Sequence, residues 1–338
     1  MPATRRSRNS SKSPNSDGED HADEDSDESA AVKHVVLDEF AAPAIRAGVT
    51  SASEYRVGIN AQKMFLTRAP KNGAQAIRCY VERDRHGLNR LHPVFRLFLE
   101  DGKQFLLCAQ RRAGSKTANY LLTMERNPTD RRSALIVGKL RGNWSGSEYF
   151  IFDDGLSHSK TAIDSNVRSI LGVIEFAYDE MGPGKLNVRI PTVQEGGAGS
   201  KWKDPDLERG GPQARKVLND HIRSNSLFLR NKRPQFDAKS GGHVLDFQGR
   251  VTMASIKNFQ IQCDDLGDST ILQFGRVSCQ PPGPRTQCSC HKNLFIMDVK
   301  YPLSPLQAFA VCLSTLDSKV ADLKLYDNVA RLVKKKGA

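Results

Sequence analysis

A short segment near the end of the chain limits the folds that this sequence can adopt. Residues 304–316 read SPLQAFAVCLSTL, with a Ser N-cap, a Pro at the first helical position and a Gln at the capping-box position. We therefore expect a helix from Ser304 to about Lys319. Apolar residues lie on nearly every side of it, so it must be buried, yet it is shorter than the roughly 20 residues that cross a bilayer. These apolar residues are Leu306, Ala308, Phe309, Ala310, Val311, Cys312, Leu313 and Leu316.

The remainder of the folded region consists of short β-type runs separated by turn residues. About a dozen runs follow residue 76, each bounded by Gly, Pro, Asn or Asp, and no convincing helical pattern lies between them. This pattern disfavours a doubly wound α/β fold and predicts an antiparallel barrel or sandwich. The runs span residues 76–83, 93–100, 105–112, 119–125, 134–142, 148–155, 170–178, 185–191, 243–251, 257–263, 270–277 and 294–301.

The buried helix and the strands together favour one arrangement. A barrel of about twelve strands is too wide to be filled by its own side chains. An apolar helix along the barrel axis fills that space and is covered on every side. The sequence therefore predicts a mainly β fold, an antiparallel barrel closed around a central C-terminal helix.

The start of the chain differs from the rest in composition. Residues 1–40 contain ten acidic and five basic residues, a charge of −5, so the rest of the chain carries +17 against +12 for the whole. We expect a disordered arm over residues 1–69 with a short apolar island at 31–48, a barrel domain over 70–322 and a basic tail over 323–338.

Charge and cysteine content restrict the functional classes. The basic folded part favours polyanionic partners, either nucleic acid or an anionic membrane surface. The N-terminal residues lack the apolar run of a secretory signal, and no stretch is apolar enough to span a membrane. The seven cysteines are few and odd in number, which disfavours a disulfide framework and favours a cytosolic or nuclear protein.

Five segments of the chain resemble the tubby-like proteins in order and spacing. They read FLLCAQRRAGSKTANYLLTM, GKLRGN, VLDFQGRVTMASIKNFQI, LQFGRV and FIMDVKYPLSPLQAFAVCLSTLDSKVA, and the resemblance extends from about residue 76 to 322. It implies a closed antiparallel barrel of twelve strands around a mostly apolar C-terminal helix. That implication agrees with the pattern of strands and helix described above.

The resemblance also implies a site for phosphoinositides, chiefly phosphatidylinositol 4,5-bisphosphate, on the outer barrel surface. Its residues would be Lys139 and Arg141 in GKLRGN, Asn119 in SKTANY and Arg168 in NVRSILGV. Independently of the family, residues two apart on a strand point to the same face, so Lys139 and Arg141 project together. An Arg fork and a compact Lys charge suit two neighbouring phosphates. The nearby Arg111, Arg112 and Lys116 could extend the positive field.

The family implies a non-enzymatic, peripheral membrane adaptor on the cytoplasmic face of a membrane, without a cofactor. Such an adaptor links lipid recognition to protein trafficking, including delivery into cilia or flagella. The island at residues 31–48 is a candidate contact for the intraflagellar transport machinery or for membrane cargo. The alternative is a DNA-binding transcription regulator in the nucleus, which the basic charge would also serve, although no helix-turn-helix or zinc finger is recognisable.

Two further features of the sequence do not favour a catalytic or metal site. Cys279, Cys288, Cys290 and His291 have spacings that differ from those of paired zinc knuckles, so we interpret this insertion as a surface loop. No motif of a hydrolase or metalloprotease is present, and the histidines are scattered.

Overall fold

The computed structural model describes residues 52–127, 133–161, 163–177, 184–203, 225–238, 242–278 and 293–317. Twelve of the described strands form a closed antiparallel barrel, which confirms the predicted fold class. The strands are β1 Ile77–Asp84, β2 Val94–Leu99, β3 Phe105–Arg111, β4 Asn119–Thr123, β5 Ile136–Gly142, β6 Glu148–Phe152, β7 Ile170–Ala177, β8 Lys185–Pro191, β9 Ser226–Asn231, β10 Gln235–Asp237, β11 Gly242–Val244, β12 Phe259–Cys263, β13 Thr270–Arg276 and β14 Leu294–Val299. Around the barrel they follow in the order β1-β14-β13-β12-β9-β8-β7-β6-β5-β4-β3-β2, and β10 and β11 form a separate two-stranded sheet.

The predicted C-terminal helix lies in the barrel interior. It is α2, Pro305–Asp317, and all residues from Pro305 to Thr315 are buried. The capping box is formed, because the Gln307 backbone N–H donates to Ser304 Oγ at 3.2 Å and the Ser304 N–H donates to Gln307 Oε1 at 2.9 Å. Gln307 Nε2 also donates to the Leu171 carbonyl at 2.7 Å, which ties the start of the helix to β7. The buried apolar helix is therefore confirmed.

The other end of α2 is held by side chains of the barrel wall. Asp317 accepts hydrogen bonds from the hydroxyls of Tyr120 at 2.7 Å and Tyr149 at 3.1 Å, and Arg111 Nη1 lies 3.5 Å from the same carboxylate. Lys257 Nζ donates to the Thr315 carbonyl at 2.9 Å. Cationic groups here suit the negative end of the helix dipole.

One predicted barrel strand is wrong, and one observed barrel strand was missed. Residues 243–251 do not form a barrel strand: only Gly242–Val244 is extended, paired with Gln235–Asp237 outside the barrel. The place next to β12 is taken by β9, Ser226–Asn231. The predicted number of twelve barrel strands is therefore right, although β9 replaces the strand predicted at residues 243–251.

The segment that follows β11 is held against the barrel instead of joining it. Arg250 donates to both carboxylate oxygens of Asp298, at 2.8 and 2.6 Å, and to both of Glu100, at 2.9 and 2.8 Å. Val251 packs directly on Gly275, where an added Cβ would lie 2.3 Å from a Val251 methyl carbon. These long-range contacts override the β-type pattern of the sequence.

The folded part begins earlier than the sequence analysis placed it. Helix α1, Ala52–Thr67, lies within the range assigned to the disordered arm. Its residues Phe65 and Leu66 are buried in the barrel core, and Gln62 Nε2 donates to the Leu106 carbonyl of β3 at 3.0 Å. The island at residues 31–48, the insertion at 279–291 and the tail at 323–338 lie outside the described residues.

We predict that Phe309→Ala lowers the free energy of unfolding by about 3–5 kcal/mol, because it leaves a cavity in a closely packed interior. Phe309 is fully buried in the core around α2. Denaturant unfolding of the purified protein measures the change, with Leu91→Ala as a control, since Leu91 is largely exposed. A Phe309→Ala protein as stable as the control would contradict the role of α2 as the centre of the core.

Candidate functional site

Five outward-facing residues lie together on strands β4, β5 and β6. In the β4–β5 register Asn119 lies opposite Arg141, and in the β5–β6 register Phe150 lies opposite Arg141 while Phe152 lies opposite Lys139. Directly opposed residues share a face of the sheet. Leu140, between the two basic residues, is fully buried in the core. Asn119, Lys139 and Arg141 are thus adjacent on the outer face, each half-buried.

Arg168 reaches this face from the loop between β6 and β7. A short 3₁₀ turn, Asp164–Asn166, precedes it, and Val167 then pairs in parallel with Leu156. The Arg168 guanidinium lies 4.1 Å from the centre of the Phe152 ring, a close cation–π contact. The Arg168 residue is almost completely buried. Packing therefore holds the guanidinium in a fixed position beside β5 and β6.

An aromatic floor, Phe150 and Phe152, supports the basic residues. The two rings are stacked with their centres 6.2 Å apart. Phe152 belongs to a small apolar cluster outside the barrel interior, which also contains Ile170 and Val173 and is flanked by Trp202. The sequence analysis missed this floor, although the outward-facing Phe pair in EYFIF is visible as an alternation.

The first residues of the β6–β7 loop form one wall of the site. Lys139 Nζ donates to the Gly155 carbonyl at 3.3 Å, and the Gly155 N–H donates to Asp153 Oδ1 at 2.9 Å. A Cβ added at Gly155 would lie 2.5 Å from the Arg168 Cα, so only glycine permits this close approach. Gly155 therefore brings the Arg168 backbone next to Lys139.

Helix α1 contacts the same wall. Lys63 Nζ forms an ion pair with Asp154 Oδ2 at 2.6 Å. This contact joins the helix to the loop that carries the Gly155 carbonyl. No pattern in the sequence indicated it, because the two residues are far apart in the chain.

The electrostatics of Lys139 show how closely the positive groups are placed. Burial lowers the pKa of Lys139 below its ordinary value, and the charges of Arg168 and Arg141 lower that pKa further. The negative charges of Asp153 and Asp154 raise the pKa of Lys139 and so partly offset these effects. The three cations repel one another in the unliganded protein, and an anion placed among them would relieve that repulsion.

Of the other basic residues near this site, Arg111 pairs with a residue of α2, whereas the Arg112 N–H donates to the Asn119 carbonyl at 2.8 Å. Arg111 faces Asp317 at the end of α2 and donates to the Ser115 carbonyl at 3.5 Å, so its charge is paired within the fold. Arg112 is half-buried and Lys116 is exposed. We therefore centre the candidate site on Asn119, Lys139, Arg141 and Arg168.

The described residues contain no group of His, Cys, Asp and Glu side chains that could hold a metal ion. Cys79, Cys108, Cys263 and Cys312 are buried free thiols, as expected of small core residues. Among the helices of the described ranges, none has the length and apolar character needed to cross a membrane. The segment from Cys279 to His291 lies outside these ranges, and its interpretation as a surface loop stays a prediction.

We predict that Lys139→Met stabilises the unliganded protein by a few tenths to about 1 kcal/mol. The lowered pKa means that the folded state disfavours the protonated amine, so its charge is destabilising at neutral pH. The difference in the free energy of unfolding between variant and wild type should become smaller in high salt. It should also become smaller as the pH rises towards 10.5, the ordinary pKa of lysine. Denaturant unfolding of both proteins at several pH values measures this difference. A variant clearly less stable than wild type would show that the contact with Gly155 is primarily structural.

Comparison with known proteins connects this geometry to a family. The model of the Tub family matches residues 66–318. The chain is 35% identical over 276 residues to Tubby-related protein 2 of Mus musculus, and this alignment covers 79% of the chain and 46% of that protein. It is 34% identical over 274 residues to Tubby-related protein 1 of Homo sapiens, covering 78% of the chain and 47% of that protein. Protein king tubby 1 of Aedes aegypti is 34% identical over 251 residues, covering 72% of the chain and 56% of that protein.

The chain thus spans about half the length of the curated relatives that it matches. The comparisons indicate no catalytic family. The matched residues include both helix α2 and all the residues of the candidate site. With the closed barrel and its central helix, this match establishes that the chain belongs to the Tub family.

Proposed function

We propose that the protein is a non-enzymatic, peripheral membrane adaptor that binds phosphoinositides through Asn119, Lys139, Arg141 and Arg168. The observation that carries the proposal is the close placement of three cationic side chains on the outer barrel face. Burial lowers the pKa of Lys139, and repulsion from the charges of Arg168 and Arg141 lowers that pKa further. A polyanionic headgroup is the kind of ligand that such an arrangement favours.

Each residue suits a part of a phosphorylated inositol ring. Arg141 offers a planar fork for one phosphate, and Lys139 offers a compact charge for its neighbour. Asn119, opposite Arg141 in the strand register, can orient a ring hydroxyl or phosphate oxygen. Arg168, held over the Phe152 ring, is already oriented before the ligand arrives. Among such lipids, phosphatidylinositol 4,5-bisphosphate is the ligand that we propose, since it presents two adjacent ring phosphates.

A lipid ligand places the protein at the cytoplasmic face of a membrane, with the plasma membrane as the proposed location. The positive charge of the chain outside residues 1–40 would increase its attraction to an anionic leaflet. We propose that the chain links this lipid contact to protein trafficking, such as delivery to a cilium or flagellum. The island at residues 31–48 is the proposed contact for transport machinery or cargo.

We predict that Lys139→Ala/Arg141→Ala weakens headgroup binding by roughly 3–6 kcal/mol, or about 10²–10⁴-fold, because charged hydrogen bonds contribute about 1.5–3 kcal/mol each. The measurement is co-sedimentation with vesicles that contain or lack phosphatidylinositol 4,5-bisphosphate. Phosphatidylserine vesicles of equal surface charge separate headgroup recognition from general attraction.

The matched control is Arg230→Ala/Lys232→Ala. It removes the same two charges beside β9, which lies four strands from β5 around the barrel. Arg230 pairs with Asp264 and Lys232 donates to the Asp268 carbonyl. An equal loss in both double variants would reject the assigned site. A Lys139/Arg141 variant that loses DNA binding yet retains lipid binding would instead assign this face to nucleic acid.

We predict that Phe152→Leu weakens headgroup binding by about 0.5–2 kcal/mol, roughly 2- to 30-fold, through loss of the cation–π contact that orients Arg168. Titration with soluble inositol 1,4,5-trisphosphate measures the change. Val173→Ala is the control, because Val173 is buried in the same cluster but offers no ring to Arg168. Equal losses in the two variants would attribute the effect to cluster packing alone.

A further inference from the structure

Three large apolar side chains near the candidate site are exposed rather than packed. Trp144 is 86% exposed, Ile163 is 60% exposed and Leu156 is 46% exposed. An exposed tryptophan is unusual, because its ring offers a large apolar surface for burial. We call these three residues the apolar rim.

Trp144 lies at the tip of an ordered turn that directly follows Arg141. Asn143 organises this turn, since its Oδ1 accepts hydrogen bonds from the backbone N–H groups of Ser147 at 3.0 Å and Glu148 at 3.2 Å. The Gly146 N–H donates to the Asn143 carbonyl at 3.3 Å. At most about 11 Å of chain separates the Cα atoms of Arg141 and Trp144. A well-ordered backbone therefore presents the exposed ring close to the phosphate-binding side chains.

Leu156 and Ile163 belong to the loop that forms the opposite wall of the site. Leu156 follows Gly155, whose carbonyl accepts the hydrogen bond from Lys139. The Arg168 N–H donates to the Leu156 carbonyl at 2.8 Å, and the Asn166 N–H donates to the Ile163 carbonyl at 3.0 Å. Lys160, between the two apolar residues, is exposed. The loop thus combines apolar and cationic groups beside Arg168.

We propose that the apolar rim enters the interfacial layer of an anionic bilayer while Lys139, Arg141 and Arg168 bind a headgroup. This inference rests on the proposed function and deepens it by naming the surface that meets the membrane. The turn with Trp144 precedes β6 and the loop with Leu156 follows it, so the two lie at opposite ends of this strand, which is about 17 Å long. The basic site therefore lies between the apolar residues.

That arrangement fits a bilayer better than a protein partner. A protein pocket favours one continuous apolar patch, and here charged side chains separate the apolar residues. A bilayer accepts scattered apolar side chains around a bound headgroup, and tryptophan favours the boundary between headgroups and acyl chains. The basic cluster supplies the charge complementarity to an anionic lipid surface.

Trp144 can report its own insertion. The chain has two tryptophans, Trp144 and Trp202, so Trp202→Phe leaves Trp144 as the sole emitter. We expect a blue shift of Trp144 emission when vesicles with phosphatidylinositol 4,5-bisphosphate are added. Brominated acyl chains in the same vesicles should quench that emission. Unchanged emission on vesicles that bind the protein would overturn the proposal.

A second measurement tests the energetic contribution of the rim. Trp144→Ser/Ile163→Ser should reduce vesicle binding by roughly 10- to 100-fold, because two apolar side chains lose their transfer from water. Leu156 is left unchanged, since half of it is packed. The control is Ile256→Ser: Ile256 is also 60% exposed and precedes β12, which lies five strands from β5 around the barrel. Equal vesicle binding by the rim variant and this control would overturn the proposal.

Soluble inositol 1,4,5-trisphosphate distinguishes this inference from the proposed function. The rim variant should bind the soluble headgroup as wild type does, whereas Lys139→Ala/Arg141→Ala should bind it about 10²–10⁴-fold more weakly. A wild-type protein that fails to bind the headgroup would reject the proposed function. If the protein does not bind the headgroup but Trp144 emission still shifts on anionic vesicles, membrane insertion of the apolar rim is supported without headgroup binding. If the emission does not shift either, both the insertion and the proposed function are rejected.

Discussion

The fold depends on the burial of one apolar helix. A closed barrel of twelve strands encloses more space than its own side chains fill, and α2 occupies that space. Strand β5 packs closely against this helix, because a Cβ added at Gly138 would lie 3.3 Å from a Leu306 methyl carbon. Leu140 of the same strand is fully buried. Since side chains alternate along a strand, this inward packing directs Lys139 and Arg141 to the outer face.

The candidate site is assembled on that face from separate parts of the chain. Strands β4 and β5 supply Asn119, Lys139 and Arg141, and the β6–β7 loop supplies Arg168. The Phe152 ring and the missing Cβ of Gly155 determine where the Arg168 guanidinium lies. The barrel thereby holds three like charges together. Burial lowers the pKa of Lys139, and the charges of Arg168 and Arg141 lower that pKa further. Such sites are commonly retained at some cost in stability, because ligand binding relieves the repulsion.

Contacts from outside the barrel wall complete the structure around the site. Helix α1 packs Phe65 and Leu66 into the core and reaches Asp154 with Lys63. On another part of the barrel, Arg250 bridges Glu100 and Asp298 and holds its segment against the strands. Both cases join residues that are distant in the chain. They explain why the two largest differences from the sequence-based prediction lie at residues 52–67 and 243–251.

The sequence by itself determined the features that depend on local order and periodicity. The capping residues and all-round apolar surface of 304–316 predicted a buried helix. Short β-type runs between turn residues predicted eleven of the twelve barrel strands, and the spacing of Lys139 and Arg141 placed them on one face. The tertiary structure decided the pairing of β9 with β12, the docking of α1 and the cation–π contact of Arg168 with Phe152. These features arise from contacts between residues far apart in the chain, which local propensity and periodicity do not encode.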